Sequence, residues 1–407
     1  MQKTGTGHVT FTGIFTYNFT TTFLLKEDML QSHYDYIIAG AGCAGLSLLM
    51  RILQQNELQQ KRILLIDETE KERNDRTWCF WEKEESFFET IVFQSWDKLQ
   101  FYSDDFSSEF SIAPYSYKMI RGIDFYRHCF AVIRQSPNVD FHKGKIDRLF
   151  SDATTGIVTG GKTITADYVF NSILFGKPEL KKKDVWLLQH FKGWLVETET
   201  PVFNVAAATL MDFRISQKNG TAFCYVLPSS PTEALVEYTL FTPALLQPHE
   251  YDEGLENYLR AFLGLKSFTV KESEFGVIPM TNHRFANRHN RIVHIGTAGG
   301  QTKGSSGYTF SFIQRHSKQI AENLARQEQP FVAGSPKRFH FYDSVLLQVL
   351  DNHLVEGEEI FATMFRKNKP QEVLAFLNNT SSFATELKII STLPILPFFK
   401  AAMRQMM

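Results

Sequence analysis

Over residues 34–67, apolar runs and turns follow one another in the order strand, turn, helix, strand. Residues 34–39 form a short apolar run that is typical of a buried strand, and residues 62–66 form a second one. Between them, residues 46–53 carry apolar side chains at helical spacing. The pattern therefore predicts a βαβ unit, with Asp67 at the end of its second strand.

Three glycines occupy the turn between that first strand and the helix. Gly40, Gly42 and Gly45 have the spacing of a dinucleotide-binding fingerprint, and the flanking strands and the acid are those it requires. Gly40 permits the tight turn, Gly42 lets the backbone approach a pyrophosphate, and Gly45 lets the helix pack closely on the strand. The helix N-terminus offers free N–H groups to phosphates, and we expect Asp67 to bind a ribose hydroxyl.

A second strand–glycine–helix unit occurs late in the chain. Residues 291–295 predict a buried strand, and the pattern predicts a helix over 308–326. The small residues between them that are candidates for cofactor binding are Gly296, Ala298, Gly299, Gly300 and Gly307. In flavoproteins such a unit closes over the flavin with its helix dipole directed at the cofactor, whereas a plain NAD dehydrogenase has no need of it. The two units together indicate FAD.

The alternation of apolar and polar residues divides the chain into parts. Residues 33–185 and 269–330 predict a discontinuous FAD-binding domain, and successive short strands over 186–268 predict an inserted antiparallel substrate sheet. Residues 331–407 predict a helical C-terminal region. The expected fold class is α/β: a Rossmann-like FAD-binding domain of the glutathione-reductase or hydroxylase type, with an inserted antiparallel β domain and C-terminal helices.

Composition narrows the function further. The net charge of −1 gives no indication of nucleic-acid binding. The 37 phenylalanines are consistent with a large apolar cavity or with an aromatic core. The four cysteines match neither a metal motif nor a disulfide framework, so we expect no metal and a reducing cytoplasm. Residues 387–399 are strongly apolar but short and broken by proline, so this segment either dips into a membrane surface or caps the core.

The first residues stand apart from this organisation. Residues 1–28 are rich in threonine and phenylalanine and lack the charged start and apolar centre of a secretory signal. We expect residues 1–32 to be an extension without fixed structure or of non-native origin, with Met29 as the natural start.

Several motifs taken together resemble the lycopene β-cyclase family, most closely its bacterial type. The resemblance covers the chain from about residue 34 to its end. The motifs lie, in order, at residues 40–46, 74–81, 189–194, 211–214, 236–239, 276–280 and 296–308.

The resemblance implies a flavoprotein that cyclises the ends of lycopene and other linear carotenoids into β-ionone rings. The products would be γ-carotene and then β-carotene, by an isomerisation without net redox change, which is the activity of an isomerase of the intramolecular lyase type. The resemblance also implies reduced FAD that stabilises a carbocation, NADPH as electron donor, and a cytoplasmic protein peripheral to the inner membrane. The partners implied are the carotenoid and a membrane surface, with no nucleic acid.

The chemistry needs an acid in an apolar setting, and Glu237 fits this need. It lies in an apolar strand, where burial raises the pKa of a carboxyl group so that it can donate a proton. Glu237 matches the first acid of the family motif, whereas many relatives have a second acid at the position of Tyr238. The alternative is that Glu237 is an outward residue of an edge strand.

Aromatic and charged residues supply further candidates. Aromatic faces stabilise cations, and the residues expected to line the substrate site are Trp78, Trp81, Trp194 and Tyr238. Arg121 is a candidate for pyrophosphate contact, as is Arg76, although either is equally consistent with a surface charge. We expect Asp212 and Arg214 to form a structural ion pair, and His190 and His294 to satisfy local hydrogen bonds.

Two other functions remain open from the sequence. One is a redox flavoenzyme of the same fold, an aromatic hydroxylase or a prenyl reductase, since fold alone does not separate these activities. The other is a carotenoid or lipid binder that keeps FAD as a structural element.

Overall fold

A mixed sheet and a mainly antiparallel sheet organise the computed structural model, which describes residues 30–406. Of the predicted extension at residues 1–32, residues 1–29, including the proposed start at Met29, lie outside the described residues. The strands in chain order are β1 (His33–Ala39), β2 (Ile63–Asp67), β3 (Thr77–Glu82), β4 (Gln94–Trp96), β5 (Lys98–Tyr102), β6 (Ser107–Ser111), β7 (Ser116–Arg121), β8 (Val139–Lys143), β9 (Ile146–Ser151), β10 (Thr155–Thr159), β11 (Lys162–Asn171), β12 (Trp186–Glu197), β13 (Ala208–Asp212), β14 (Thr221–Ser230), β15 (Glu233–Thr242), β16 (Thr269–Thr281), β17 (Arg288–His289) and β18 (Ile292–His294). The α-helices are α1 (Cys43–Leu53), α2 (Gly122–Arg134), α3 (Pro248–Ala261), α4 (Phe310–Ala325), α5 (Lys337–Asp351), α6 (Gly357–Lys367), α7 (Pro370–Leu377), α8 (Phe383–Thr392) and α9 (Ile395–Met406).

The first sheet carries the predicted βαβ unit at its centre. Its main path is β17-β18-β11-β1-β2-β8, with β10 also paired to β11 and β9 to β10, and β1 pairs in parallel with both β11 and β2. Helices α1, α2 and α4 pack in the same core as these strands. Because the strands are parallel, the loops after β1 and β18 emerge at the same edge of the sheet, which brings the two glycine segments together.

The second sheet is wider than the predicted insertion. Its order is β16-β12-β15-β14-β13-β5-β6, so β5, β6 and β16 join it from outside residues 186–268. All its pairs are antiparallel except that of β13 with β5. The predicted division into domains stays a prediction, while the sheet itself draws strands from both sides of the predicted boundaries.

The two faces of this second sheet have different coverings. On one face, Phe223, Tyr225 and Phe241 share a core with residues of helices α5 to α8. On the other face, Val236, Tyr238 and Leu240 pack with residues of helix α3. Alternate residues of one strand therefore lie in different environments.

The C-terminal region is helical, as the sequence predicts. The apolar segment at 387–399 is divided between α8 and α9, because Leu393 and Pro394 interrupt the helix. Across residues 30–406, no helix combines the length and the hydropathy that crossing a membrane requires.

Candidate active site

The first glycine turn has the conformation that a nucleotide-binding fingerprint requires. Gly40 has φ of +99°, in the region that favours glycine. A Cβ at Gly45 would lie 1.9 Å from the carbonyl oxygen of Gly40, so a side chain there would prevent the close approach of α1 to the turn. A Cβ at Gly42 would meet no atom of the described residues within 4 Å, which leaves space beside its backbone for a ligand.

Asp67 holds this turn in place. Its Oδ2 accepts a hydrogen bond of 2.7 Å from the backbone N–H of Ala41. Its Oδ1 accepts a bond of 2.8 Å from the backbone N–H of Thr69 and lies 3.2 Å from Lys71 Nζ. Contact of Asp67 with a ribose stays a prediction.

The second glycine segment begins against the first. A Cβ at Gly296 would lie 2.7 Å from Cβ of Ala44, in the first turn of α1. Ala298 and Gly299 belong to a 3-10 turn, Gly300 follows it, and helix α4 starts after this segment. At the other end, a Cβ at Gly307 would lie 2.0 Å from Oε1 of Gln189 on β12. The segment therefore bridges the first glycine turn and the second sheet.

One cavity of about 440 Å³ joins these parts. Its wall contains Gly42 from the first turn, Gly296 and Gly307 from the second segment, and Glu237 from β15. These predicted site residues lie far apart in the sequence, and the fold brings them to one cavity. The predicted cofactor residues Gly40, Gly45, Asp67, Ala298, Gly299 and Gly300 support or adjoin the two glycine segments without belonging to this wall.

Helices α1 and α4 both begin at this cavity. Gly42 precedes α1 and Thr309 precedes α4, and neither helix has a side-chain cap from the described residues. Their first N–H groups are therefore available to an anionic group in the cavity. In addition, Oε1 of the buried Gln189 has no hydrogen-bond partner among residues 30–406, which leaves an acceptor at the wall. The N–H donors at the starts of α1 and α4 fit the phosphates of a dinucleotide.

Of the two candidate arginines, Arg76 is the one in this cavity. The Arg121 side chain lies in a smaller neighbouring cavity. Its Nε donates a bond of 2.6 Å to Asp124 Oδ2, and its guanidinium lies 3.8 Å from the centre of the Phe93 ring. Arg121 therefore does not belong to the wall that the two glycine segments share, and its contact with a pyrophosphate stays a prediction.

Glu237 is a half-buried carboxyl group in the wall of the main cavity. Burial, and after it the nearby carboxyl group of Glu274, raise its pKa to about 8. The Thr239 hydroxyl donates a bond of 2.6 Å to Oε1 of Glu237 and opposes this shift. Glu237 is thus protonated at neutral pH and can act as a proton donor.

Glu274 is a second acid that the sequence analysis did not identify. In the antiparallel register, Gly193 of β12 pairs with Glu237 of β15 on one side and with Glu274 of β16 on the other. Glu274 is 8% exposed, and burial raises its pKa to about 7. Its Oε2 accepts a bond of 2.8 Å from the Thr77 hydroxyl, whereas Oε1 has no partner among residues 30–406. Only the pairing of strands far apart in sequence reveals it.

Aromatic residues line the cavity close to Glu237. Trp78 and Tyr117 belong to its wall, together with Tyr225, which pairs with Glu237 across the strands, and Tyr308. Trp81 is not in the wall. Its Nε1 donates to the carbonyl oxygen of Leu374 at 3.0 Å, and its ring contacts that of Tyr308 edge-on at 4.7 Å. Trp81 therefore supports a wall residue.

Trp194 and Tyr238 lie on the opposite face of the second sheet. Tyr238 follows Glu237 directly in the strand and packs in the core beneath helix α3. Trp194 pairs with Val236 and packs against Phe268 on that same face. Successive side chains of a strand point to opposite faces, so the expectation that these two residues line the cavity with Glu237 is corrected.

The remaining charged candidates make local contacts. Arg214 donates to both carboxylate oxygens of the buried Asp212, at 2.9 and 2.6 Å. His190 bonds to Thr242 and Tyr251, and His294 to Asn171. Within residues 30–406, no cluster of three or more histidine, cysteine or acidic side chains is arranged to hold a metal ion.

Comparison with known proteins identifies a family and a curated relative of this chain. Residues 35–403 match the family model described as lycopene cyclase protein. A lycopene beta-cyclase from Pantoea ananas is 26% identical over 265 residues. That match covers 62% of this chain and 64% of the relative, so less than two thirds of the relative's length is spanned.

Solved structures share the fold at low sequence identity. A geranylgeranyl bacteriochlorophyll reductase-like protein from Thermoplasma acidophilum has a TM-score of 0.59 at 12% identity, over 91% of this chain and 98% of that one. A flavin-dependent brominase has a TM-score of 0.58 at 13% identity, over 88% and 98% of the two chains. These likenesses, with the two sheets and the C-terminal helices, confirm the predicted fold class.

Proposed function

Because the chain belongs to the lycopene cyclase family, we propose that it is a lycopene β-cyclase. It converts the ends of lycopene, and of other linear carotenoids, into β-ionone rings, giving γ-carotene and then β-carotene without net redox change. The observation that carries the proposal is the position of Glu237, a carboxyl group with raised pKa, in the same cavity as both glycine segments.

FAD is the cofactor that this cavity fits. The N-termini of α1 and α4 and the Arg76 side chain provide donors and positive charge for its pyrophosphate, and Gly42 leaves room for it. When bound in its reduced form, with NADPH as the electron donor, FAD supplies electron density that stabilises a carbocation.

Glu237 starts the reaction by transferring its proton to the terminal double bond of the polyene. The O–H bond of the carboxyl group breaks and a C–H bond forms, which leaves a positive charge on the substituted carbon. The electrons of the next double bond close the six-membered ring, and a proton leaves the ring to form its double bond. One proton enters and one leaves, so the product is an isomer of the substrate.

The wall around Glu237 favours a cationic intermediate. The faces of Trp78, Tyr117, Tyr225 and Tyr308 offer negative electrostatic potential at the cavity surface. Trp81 fixes Tyr308 from behind through the edge contact of the two rings. These rings also displace water, which would otherwise add to the cation.

The C-terminal helices favour entry of the polyene from a membrane surface. Ile395 and Leu396 of α9 are 73% and 80% exposed, and Phe399 is exposed on the same helix. A separate apolar cavity of about 350 Å³ lies beneath α9, and its wall reaches Ser305 in the second glycine segment. We therefore propose that α8 and α9 contact lipid, and, from the family resemblance, that the protein is cytoplasmic and peripheral to the inner membrane.

The decisive experiment is anaerobic incubation of the purified protein with lycopene, FAD and NADPH, with the pigments separated by chromatography. We expect γ-carotene and then β-carotene, both with the mass of lycopene. The Glu237→Gln variant should keep its flavin and lose ring formation. The matched control is Glu253→Gln on the exposed side of α3, which should cyclise normally. Unchanged lycopene beside bound, reducible flavin would instead indicate a redox enzyme of this fold.

A further inference from the structure

We propose that Glu274 and the small cavity beside it form the proton supply of Glu237, separate from the path of the polyene. The proposal rests on the function proposed above. It assigns to Glu274 the role of a positioning and relay residue, because it acts on the substrate only through Glu237.

Gly193 allows the two acids to approach each other. Two inter-strand spacings separate the Cα atoms of Glu237 and Glu274 by about 9.6 Å, with Gly193 between them on the same face. A Cβ at Gly193 would lie 3.0 Å from Cγ of Glu274 and 3.4 Å from its Oε1. The Glu274 side chain therefore lies over Gly193, on the side of its own strand that faces Glu237.

Among the described residues, the hydrogen bonds of Glu274 leave the carboxyl oxygen next to Gly193 without a partner. Oε2 is held by the Thr77 hydroxyl, while Oε1, the atom above Gly193, has no partner among residues 30–406. An unpaired oxygen on a carboxyl group that is more than nine-tenths buried is costly unless the group is protonated or bonded to water. A carboxyl group that is protonated, or that is bonded to water, is able to carry a proton.

A second cavity connects Glu274 to solvent. It measures about 50 Å³, which is room for a few water molecules. Its wall contains Glu274 and the exposed Glu272, and it shares Thr77 and Leu227 with the wall of the main cavity. Water thus reaches Glu274 from the side of the sheet edge, without passing the cation.

The proton balance is closed. After Glu237 has given its proton to the polyene, an O–H bond of Glu274 breaks and a new one forms on Glu237. Glu274 takes a proton from water of the small cavity, and the proton that leaves the ring passes to water. Each ring closure therefore consumes no net protons.

Several other ionisable groups face this pair and belong in any description of its titration. Around Glu274 they are Asp75, Arg76, Glu272, Glu233 and Arg121. Around Glu237 they are Cys79, Tyr225 and Tyr308. Among the described residues, Glu274 is the only acid that acts on the pKa of Glu237. Removal of the Glu274 carboxyl group should therefore lower the pKa of Glu237.

The test separates the first ring closure from later ones. Lycopene in liposomes is mixed with reduced Glu274→Gln holoenzyme at pH 6, where Glu237 begins protonated, and the products are quenched over time. We expect the first closure at nearly the wild-type rate and steady-state turnover slowed about 100-fold, because recharging of Glu237 is lost. Flavin content should not change, whereas the steady-state KM should fall together with kcat because the slow step now follows ring closure. Formate should restore turnover in Glu274→Ala by entering the vacated space.

A backbone variant provides independent support. Gly193→Ala places a methyl group 3.0 Å from Cγ of Glu274, so this side chain must shift slightly, and we expect a weaker form of the burst followed by slowed turnover. Gly176→Ala is its control, since a Cβ there meets no atom of the described residues within 4 Å. Equal slowing of the first and later closures in Glu274→Gln, or unchanged turnover, would overturn the relay. Failure of the wild-type protein to close any ring would instead overturn the proposed function.

Discussion

Thr239 Oγ1 donates a hydrogen bond of 2.6 Å to Oε1 of Glu237. Glu237 precedes Thr239 by two residues and lies on the same face of strand β15. This bond stabilises the ionised carboxylate and so lowers the pKa that burial raises. Replacing Thr239 by valine keeps the shape of the side chain and removes the donor. We therefore expect Thr239→Val to raise the pKa of Glu237 and to move the alkaline limb of the rate profile to higher pH.

The control for this variant is Thr239→Ser, which keeps the hydroxyl group. Its profile should match that of the wild type. A limb that stays in place in Thr239→Val, or moves to lower pH, would show that this bond does not set the proton affinity of the donor.

The wild-type pH profile should report the ionisation of Glu237, coupled to that of Glu274. Its pKa is about 8 because the cavity disfavours the charged form and Glu274 adds repulsion. The donor must carry a proton, so kcat should be constant well below pH 8 and fall tenfold per unit above it. The pKa read from this profile is a property of the coupled pair of Glu237 and Glu274, and not of either acid alone. Flavin reduction should be followed over the same range, since a parallel loss there would mean that the limb does not arise from Glu237.

The local parts of this site could be predicted from sequence. Gly40, Gly42 and Gly45 lie within a few residues of one another, and their roles follow from the short apolar runs beside them. Glu237 stands out for the same reason, as a lone acid within an apolar strand. In contrast, the prediction that Trp194 and Tyr238 line the substrate site overlooks strand alternation, because Tyr238 adjoins Glu237 in a strand and must face the other way.

What the sequence could not provide is pairing between distant strands. Glu274 faces Glu237 only because β16 and β15 both pair with β12, in a register that centres on Gly193. The membership of β5, β6 and β16 in the second sheet has the same origin. Periodicity identifies a strand but does not select its neighbour.

Gly42 and Gly45 should respond differently to alanine. Gly42 has ordinary backbone angles and open space, so Gly42→Ala should fold normally while its methyl group obstructs the bound FAD. Gly45→Ala places a methyl group 1.9 Å from the Gly40 carbonyl oxygen and should lower thermal stability as well. The flavin content per chain and the Tm of the flavin-free protein measure the two effects. Full flavin occupancy in Gly42→Ala would contradict the position proposed for the cofactor.

Lys303 and Asp343 form a buried ion pair at the second glycine segment. Lys303 Nζ lies 2.6 Å from Asp343 Oδ1 and also donates to Asn379, and Lys303 is 5% exposed. Lys303→Met leaves the Asp343 charge without its partner and should reduce the free energy of unfolding by about 3–5 kcal/mol. The control is Lys318→Met, whose exposed pair with Glu322 should be worth less than about 1 kcal/mol. Urea unfolding compares them, and equal losses would contradict the importance of burial.

The exposed apolar face of α9 should determine membrane binding. Ile395→Glu and Leu396→Glu place charges on side chains that already face solvent, so the folded protein should keep its Tm. Transfer of those charges into the lipid interface is unfavourable, so flotation with liposomes should fall sharply. Leu245→Glu, which alters an exposed apolar residue between β15 and α3, is the control and should float as the wild type does. If all three variants floated equally, contact through α9 would be wrong, and the apolar cavity beneath it would no longer support entry of the polyene from that side.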